Sequence, residues 1–231
     1  MTRIKFCGLS RPCDIEEANA LAVDYIGFIF AAKSRRYVTP EKAAELKSLL
    51  DPGICAVGVF VNEEPDLIAN LARDGVFGAV QLHGAEDEEY IRILKELLPP
   101  GMPVIRAVGA DRAAALIKAG SGLLVPGADM LLADSPGGGT GESFDWSLLE
   151  QYLADGGGSG MAEGVPFILA GGLDADNAGE AVRRFHPYAL DVSSGIETDG
   201  VKDPGKMRRF AAAVRRADAE EMNELAERGM I

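Results

Sequence analysis

The side chains able to do chemistry recur at one kind of place in this chain, just after a short apolar run. "KFCGLSRP" sets Cys7 between Phe6 and Gly8, "VQLHG" sets His83 before a glycine, and "LLADS" carries Asp134. "LDVSSG" carries Asp191, Ser193, Ser194 and Gly195. A thiol so placed is either a small apolar filler or a reactive group, and only its thiolate is basic or nucleophilic. "LAGGLDADN", with Gly171 and Gly172, and "DVSSGIET" are rich in small residues and backbone donors, which suit an anion such as phosphate. The same glycines could instead serve only as turns. Arg36, in "KSRRYV", adds a cation. Metal ligands are lacking: His83 and His186 are the only histidines, and neither falls in a spacing such as H-x-x-x-H or C-x-x-C.

Composition narrows the ligand further. Across 231 residues, 36 Asp and Glu against 23 Lys and Arg give a formal net charge of −13. Nucleic acid is excluded as a partner, because phosphate backbones are held by an excess of Lys and Arg. Any anionic ligand must therefore be held by local devices against an unfavourable global field. No run approaches the roughly 18 apolar residues of a membrane span. "MTRIKFCG" has no secretion-signal pattern, and Cys7, Cys13 and Cys55 cannot close a disulfide framework. A cytoplasmic location is the expectation, as a monomer or a homodimer.

Eight short apolar runs position these residues: "IKF" from Ile4, "YIGFIF" from Tyr25, "CAVGVF" from Cys55, "AVQL" from Ala79, "VIRAV" from Val104, "MLLA" from Met130, "FILA" from Phe167 and "ALDVS" from Ala189. Their mean repeat of about 26 residues accommodates a strand and a returning helix. Helix starts lie between them. "TPEKAAELKSLL" offers Thr39 as N-cap and Pro40 at the first helical position, and Asp203–Pro204 repeats the device. "EDEEYIRILKELL" carries acidic residues in its first turn. Most strands read as continuous apolar runs, as expected where helices cover a parallel sheet. Eight such units imply a single-domain α/β fold, a (β/α)8 TIM barrel spanning residues 1–231, with an open doubly wound sheet as the alternative. "SPGGGTGE" and "ADGGGSGMAEG" read as loops flanking a sixth helix, and residues 215–231 as a solvated helical C-terminal extension.

In such a barrel, polar groups at the C-terminal ends of strands meet at one mouth. That gathers Cys7, Arg36, His83, Asp134, Gly171, Gly172, Ser193 and Ser194. Alternation sends Ile4 and Phe6 out to the helices and Lys5 and Cys7 inward. Asp191 and Ser193 likewise point in, so Lys5 should meet Asp191 across the closing seam, which relieves the burial of either charge. Gln81 and His83 share an inward parity toward a ligand. Arg106 is given the same parity in "VIRAV", where contact with a ligand carboxylate and an internal salt bridge are both open.

At this point a family resemblance becomes specific. "KFCGLSRPCD", "DYIGFIFAAKSRRYVTPEKAAEL", "VGVFVN", "VQLHG", "LLADS" with "GGTGESFDW", "LAGGLDADN" and "DVSSGIETDGVKDPGKM" run in order from Lys5 to Met207. Together they resemble the phosphoribosylanthranilate isomerases of tryptophan biosynthesis. The resemblance implies a phosphorylated small-molecule substrate, Cys7 as general base, Asp134 as general acid and Arg36 as a substrate-binding residue. Gln81 and His83 would face the anthranilate ring, and Gly171, Gly172, Asp191, Ser193, Ser194 and Gly195 would line the rest of the substrate site. Arg35 departs from the pattern, standing where the family commonly has proline.

The implied reaction is an Amadori rearrangement, which needs an acid to open the ribose ring and a base to take the C2 proton. Asp134 meets the first need if its site favours the protonated form, and Cys7 the second if cationic neighbours lower its pKa. No metal, redox cofactor or covalent intermediate is called for. The rivals are another phosphate-binding barrel isomerase of aminoaldoses (histidine-pathway or dual-substrate type) and a non-catalytic phosphosugar-binding module. The first resembles a two-aspartate design, against which a cysteine ending the first strand counts.

Overall fold

A computed structural model describes residues 1–109, 127–134 and 166–229. Eight parallel strands close into a barrel in sequence order: β1 (Arg3–Cys7), β2 (Tyr25–Ile29), β3 (Cys55–Phe60), β4 (Ala79–Leu82), β5 (Val104–Gly109), β6 (Met130–Asp134), β7 (Phe167–Leu169) and β8 (Ala189–Val192). Each of the eight apolar runs forms one strand. The described helices are α1 (Pro12–Ala20), α2 (Pro40–Ser48), α3 (Pro65–Arg73), α4 (Glu88–Leu97), α5 (Ala178–Phe185) and α6 (Pro204–Glu227). Thr39 caps α2 by accepting from the Lys42 N–H, and Asp203 caps α6 through the Lys206 N–H. In α4, Glu88 and Glu89 occupy the first turn behind the Asp87 cap. The two Gly-rich stretches and the sixth helix lie outside the described residues.

Two hydrophobic layers follow from strand alternation. Ile4, Phe6, Leu190 and Val192 belong to the outer layer, packed with the helices. Val57, Ala79, Ile105, Ala107, Leu132, Ile168, Ala170 and Ala189 fill the interior. Tyr25 and Tyr188 help close its lower end, their hydroxyls 3.0 Å apart. β1 pairs with β8 so that Lys5 lies opposite Asp191, closing the barrel at the expected seam.

Two readings need correction. Ile105 and Ala107 are the inward residues of β5, so Arg106 faces the helix side, where it donates to Glu86 and to the carbonyls of Leu82 and Gly84. The strand is apolar on both faces, and the smaller Ala107 suits the crowded interior while the guanidinium finds its acceptors outside. Of the two open readings, the internal salt bridge holds. The C-terminal extension is helical through Glu227 but not wholly solvated: Ala217 and Asp218 are buried, and Asp218 accepts from the Thr2 N–H and hydroxyl. Among the described residues, no helix is long and apolar enough to cross a membrane.

Candidate active site

The C-terminal ends of the strands surround a cleft of about 210 Å³, open to solvent. Cys7, Arg36, Gln81, His83, Asp134, Gly171, Gly172, Asp191, Ser193 and Ser194 all line it. Gly195 does not. A Cβ there would sit 1.9 Å from the Leu173 carbonyl oxygen, so its glycine lets the loop after β8 pack against the loop after β7. Cys13 falls in α1 and Cys55 begins β3 at the far end, away from the cleft.

Cys7 sits at the tip of β1 with 7% of its surface exposed. Lys5, one inward step below, is fully buried and donates to Asp191 at 2.9 Å. Burial pushes the Cys7 thiol above its ordinary value; Lys5 and Lys202 pull against that and Asp191 adds to it. The cationic neighbours required for a low thiol pKa are therefore present, but dehydration outweighs them. Asp134 ends β6 and is 8% exposed, with its Oδ2 3.2 Å from His83 Nε2. Gln81 Nε2 lies 2.9 Å from His83 Nδ1. With the amide nitrogen facing Nδ1, that ring nitrogen accepts and Nε2–H donates to Asp134. Among the described residues, the buried Gln81 Oε1 has no hydrogen-bond partner. Turning the amide would let that oxygen accept from an Nδ1–H.

The loop after β7 turns through Gly171 and Gly172, with φ of 87° and 64°, a region that other residues enter with strain. It is tied down by Asn177, which donates to the Gly172 carbonyl at 2.9 Å. After β8, the Ser193 hydroxyl donates to the Cys7 carbonyl at 3.1 Å, and a 3-10 turn spans Ser194–Ile196.

A short antiparallel pair follows, β9 (Glu197–Thr198) and β10 (Val201–Lys202), with Lys202 opposite Glu197. The buried Glu197 carboxylate receives Arg36 Nε at 2.6 Å, Arg36 Nη2 at 3.0 Å, Arg35 Nη2 at 2.8 Å and Lys202 Nζ at 2.8 Å. Burial would raise its pKa, but Arg36 and Lys202 hold it below the usual carboxylate range. Arg35, in place of the family's proline, thus has an anchor of its own. Glu197 and Lys202 were given no role from sequence. The available signal was their place in "SSGIETDGVKDPGKM", a family-matching segment from which only the serines and glycine were taken.

The cleft thus offers a buried thiol, a carboxyl with an imidazole behind it, two donor-rich loops and an oriented guanidinium. Residues 4–213 match the sequence pattern described as N-(5'phosphoribosyl)anthranilate (PRA) isomerase. The chain belongs to the N-(5'-phosphoribosyl)anthranilate isomerase family. The isomerase of Endomicrobium trichonymphae is 42% identical over 211 residues, covering 90% of this chain and 95% of that protein. Monomers generated from the dimeric phosphoribosylanthranilate isomerase of Thermotoga maritima superpose with a TM-score of 0.74 at 33% identity, covering 93% of this chain and 99% of theirs. A phosphoribosylanthranilate isomerase solved with reduced 1-(o-carboxyphenylamino)-1-deoxyribulose 5-phosphate does so with a TM-score of 0.74 at 34% identity, over 93% and 99%.

Proposed function

We propose that Cys7 and Asp134 divide the proton transfers of an Amadori rearrangement between them, in a cleft whose cations and loop donors hold an anionic sugar. The reaction is that of the family, the isomerisation of N-(5'-phosphoribosyl)anthranilate to 1-(2-carboxyphenylamino)-1-deoxyribulose 5-phosphate in tryptophan biosynthesis. The observation that carries the assignment of roles is the meeting in one cleft of a buried thiol and the Asp134 carboxyl; Asp191, in the same cleft, is tied to the buried Lys5.

Asp134 delivers a proton to the ribose ring oxygen. The C1–O bond breaks and the nitrogen lone pair forms an iminium. His83, 3.2 Å from the Asp134 carboxyl and backed by Gln81, orients it for the delivery. The Cys7 thiolate then takes the C2 proton and the C–H electrons form the enolamine double bond; protonation at C1 with loss of the C2 hydroxyl proton gives the ketose. A thiol held above its ordinary pKa is ionised in only a small fraction at neutral pH, but its thiolate is a correspondingly stronger base. Turnover should therefore climb as pH rises above neutrality.

Gly171, Gly172, Ser193 and Ser194 supply phosphate donors, and Arg36 a charge for the anthranilate carboxylate or the phosphate. The cleft lies within one chain, so a monomer carries every residue named here; the Thermotoga maritima relative is a dimer. Three free cysteines suit a cytoplasmic location. The test is the loss of substrate fluorescence with wild-type protein and with Cys7→Ser, which keeps the shape and weakens the base. We expect kcat to fall by about 10²–10⁴-fold with KM little changed. Activity within a few-fold of wild type would end the general-base assignment.

A further inference from the structure

Lys202 is the least explained charge in the molecule. Its side chain is 2% exposed, on a two-residue strand, yet it is an ammonium held by three acceptors. Glu197 Oε1 lies at 2.8 Å, the Ser193 carbonyl at 2.9 Å and the Ser193 hydroxyl at 3.3 Å. That hydroxyl donates onward to the Cys7 carbonyl at 3.1 Å, which places the ammonium beside the thiol residue without touching the ligand cleft.

We propose that Lys202 is a positioning residue whose buried charge supports the thiolate of Cys7. This rests on the reading of Cys7 as the base. The local charge balance makes the case. Lys5 acts on the thiol more strongly, but it is tied to Asp191 at 2.9 Å, and that carboxylate opposes part of its effect. On the other side, the single carboxylate of Glu197 is shared by Lys202, Arg36 and Arg35, leaving an excess of positive charge. Arg36 also runs across the backbone after Cys7, where a Cβ on Gly8 would lie 2.6 Å from its Cδ. Across the cleft, Cys7 faces Asp134 and its partner His83. Of the cations around the thiol, Lys5 and Lys202 are both buried and clear of the cleft, and of these two Lys202 is the one not tied to Asp191. A charge so placed is poorly screened and acts over several ångströms. The electrostatics agree in direction: Lys202 opposes the rise that burial imposes on the thiol. Burial in turn draws the Lys202 ammonium below its ordinary value, against the pull of Glu197 and Cys7.

The test reads the thiol directly. In a Cys13→Ser/Cys55→Ser background, the rate of Cys7 alkylation by iodoacetamide is followed from pH 6 to 10 in the parent, Lys202→Met and Lys202→Arg. Lys202→Met should move the alkylation midpoint upward, so that the rate at pH 8 falls roughly tenfold, the change expected for one unit of thiol pKa. Its kcat/KM should fall by a similar factor at neutral pH and return toward the parental value as pH rises. Lys202→Arg, which keeps the charge, should stay within about threefold of the parent in both. A purely structural role would lower activity at every pH. If Lys202→Met gives no cooperative melting transition, Lys202→Gln, neutral but able to donate to the Ser193 carbonyl, carries the same expectation. An alkylation curve unchanged by the neutral variant overturns the proposal. A shifted curve with unchanged kcat/KM keeps Lys202 beside the thiol but removes Cys7 as the base.

Discussion

Lys5 and Asp191 form an ion pair on the inner wall of the barrel, with side chains 0% and 8% exposed and Nζ and Oδ1 2.9 Å apart. The informative perturbation is Asp191→Asn in a Cys7→Ala background, where no thiol can stand in for the lost carboxylate. Lys5 then has two choices. Remaining charged without its partner costs about 3–5 kcal/mol by analogy with other broken buried pairs. Discharging at pH 7, about 3.4 units below a free value near 10.4, costs about 4.6 kcal/mol. We therefore expect a penalty of about 4 kcal/mol at pH 7, which lowers Tm by roughly 8–16 °C for a chain of this size. The pH dependence separates the two choices. In the native protein burial lowers the Lys5 pKa, but Asp191 and Cys7 outweigh it and hold the ammonium above its ordinary value. Its contribution to wild-type stability is thus fully present and constant between pH 7 and 9, and is lost only as pH rises past the ordinary lysine value. In the variant the folded-state value drops below the unfolded one. The unfolded chain then binds more protons, and stability rises by about 1.4 kcal/mol per pH unit. The penalty against the Cys7→Ala parent should shrink to about 1–2 kcal/mol at pH 9. Urea unfolding followed by circular dichroism at both pH values measures it. A penalty below about 1 kcal/mol, or one that does not shrink at pH 9, would refute the reasoning.

Asp134→Asn removes the carboxyl proton and should block ring opening, while an open-chain analogue of the substrate is still turned over; equal loss on both substrates would place the acid elsewhere. Gly195→Ala drives a methyl group into the Leu173 carbonyl, 1.9 Å from the ideal Cβ. It should destabilise the protein by about 1–3 kcal/mol and raise KM as the two phosphate loops part, and a wild-type melting curve would contradict this. Arg36→Ala should raise KM about tenfold at low ionic strength and less at high salt; a penalty independent of salt would make Arg36 a purely structural partner of Glu197.

The barrel was legible because apolar runs of the right length recurred eight times, and because alternation in β1 and β8 is clear: in each, the large apolar side chains occupy one parity and the polar ones the other. That alternation placed Cys7, Lys5 and Asp191 inside and paired the last two across the seam. In β5 the same rule failed at Arg106, since a strand that is apolar on both faces offers no contrast to read. The Glu197–Lys202 cluster was out of reach for a different reason. Two charges in a turn-rich segment look solvated until a hairpin of four paired residues folds them beneath Arg36. Whether two cations could lower the thiol pKa was also not a matter of sequence. It depends on how much water the finished cleft leaves around sulfur, and Cys7 keeps too little.

The seam between β1 and β8 carries a consequence for synthesis. Cys7 precedes Asp191, Ser193 and Lys202 by more than 180 residues. α6 then reaches back, through Asp218, to Thr2. The surroundings of the thiol cannot be assembled before residue 202 has been made, because β8, the loop after it and the β9–β10 hairpin all come from residues 189–202. A growing chain therefore holds an unformed site until β8 closes on β1, and the onset of turnover marks the moment at which the circle has closed.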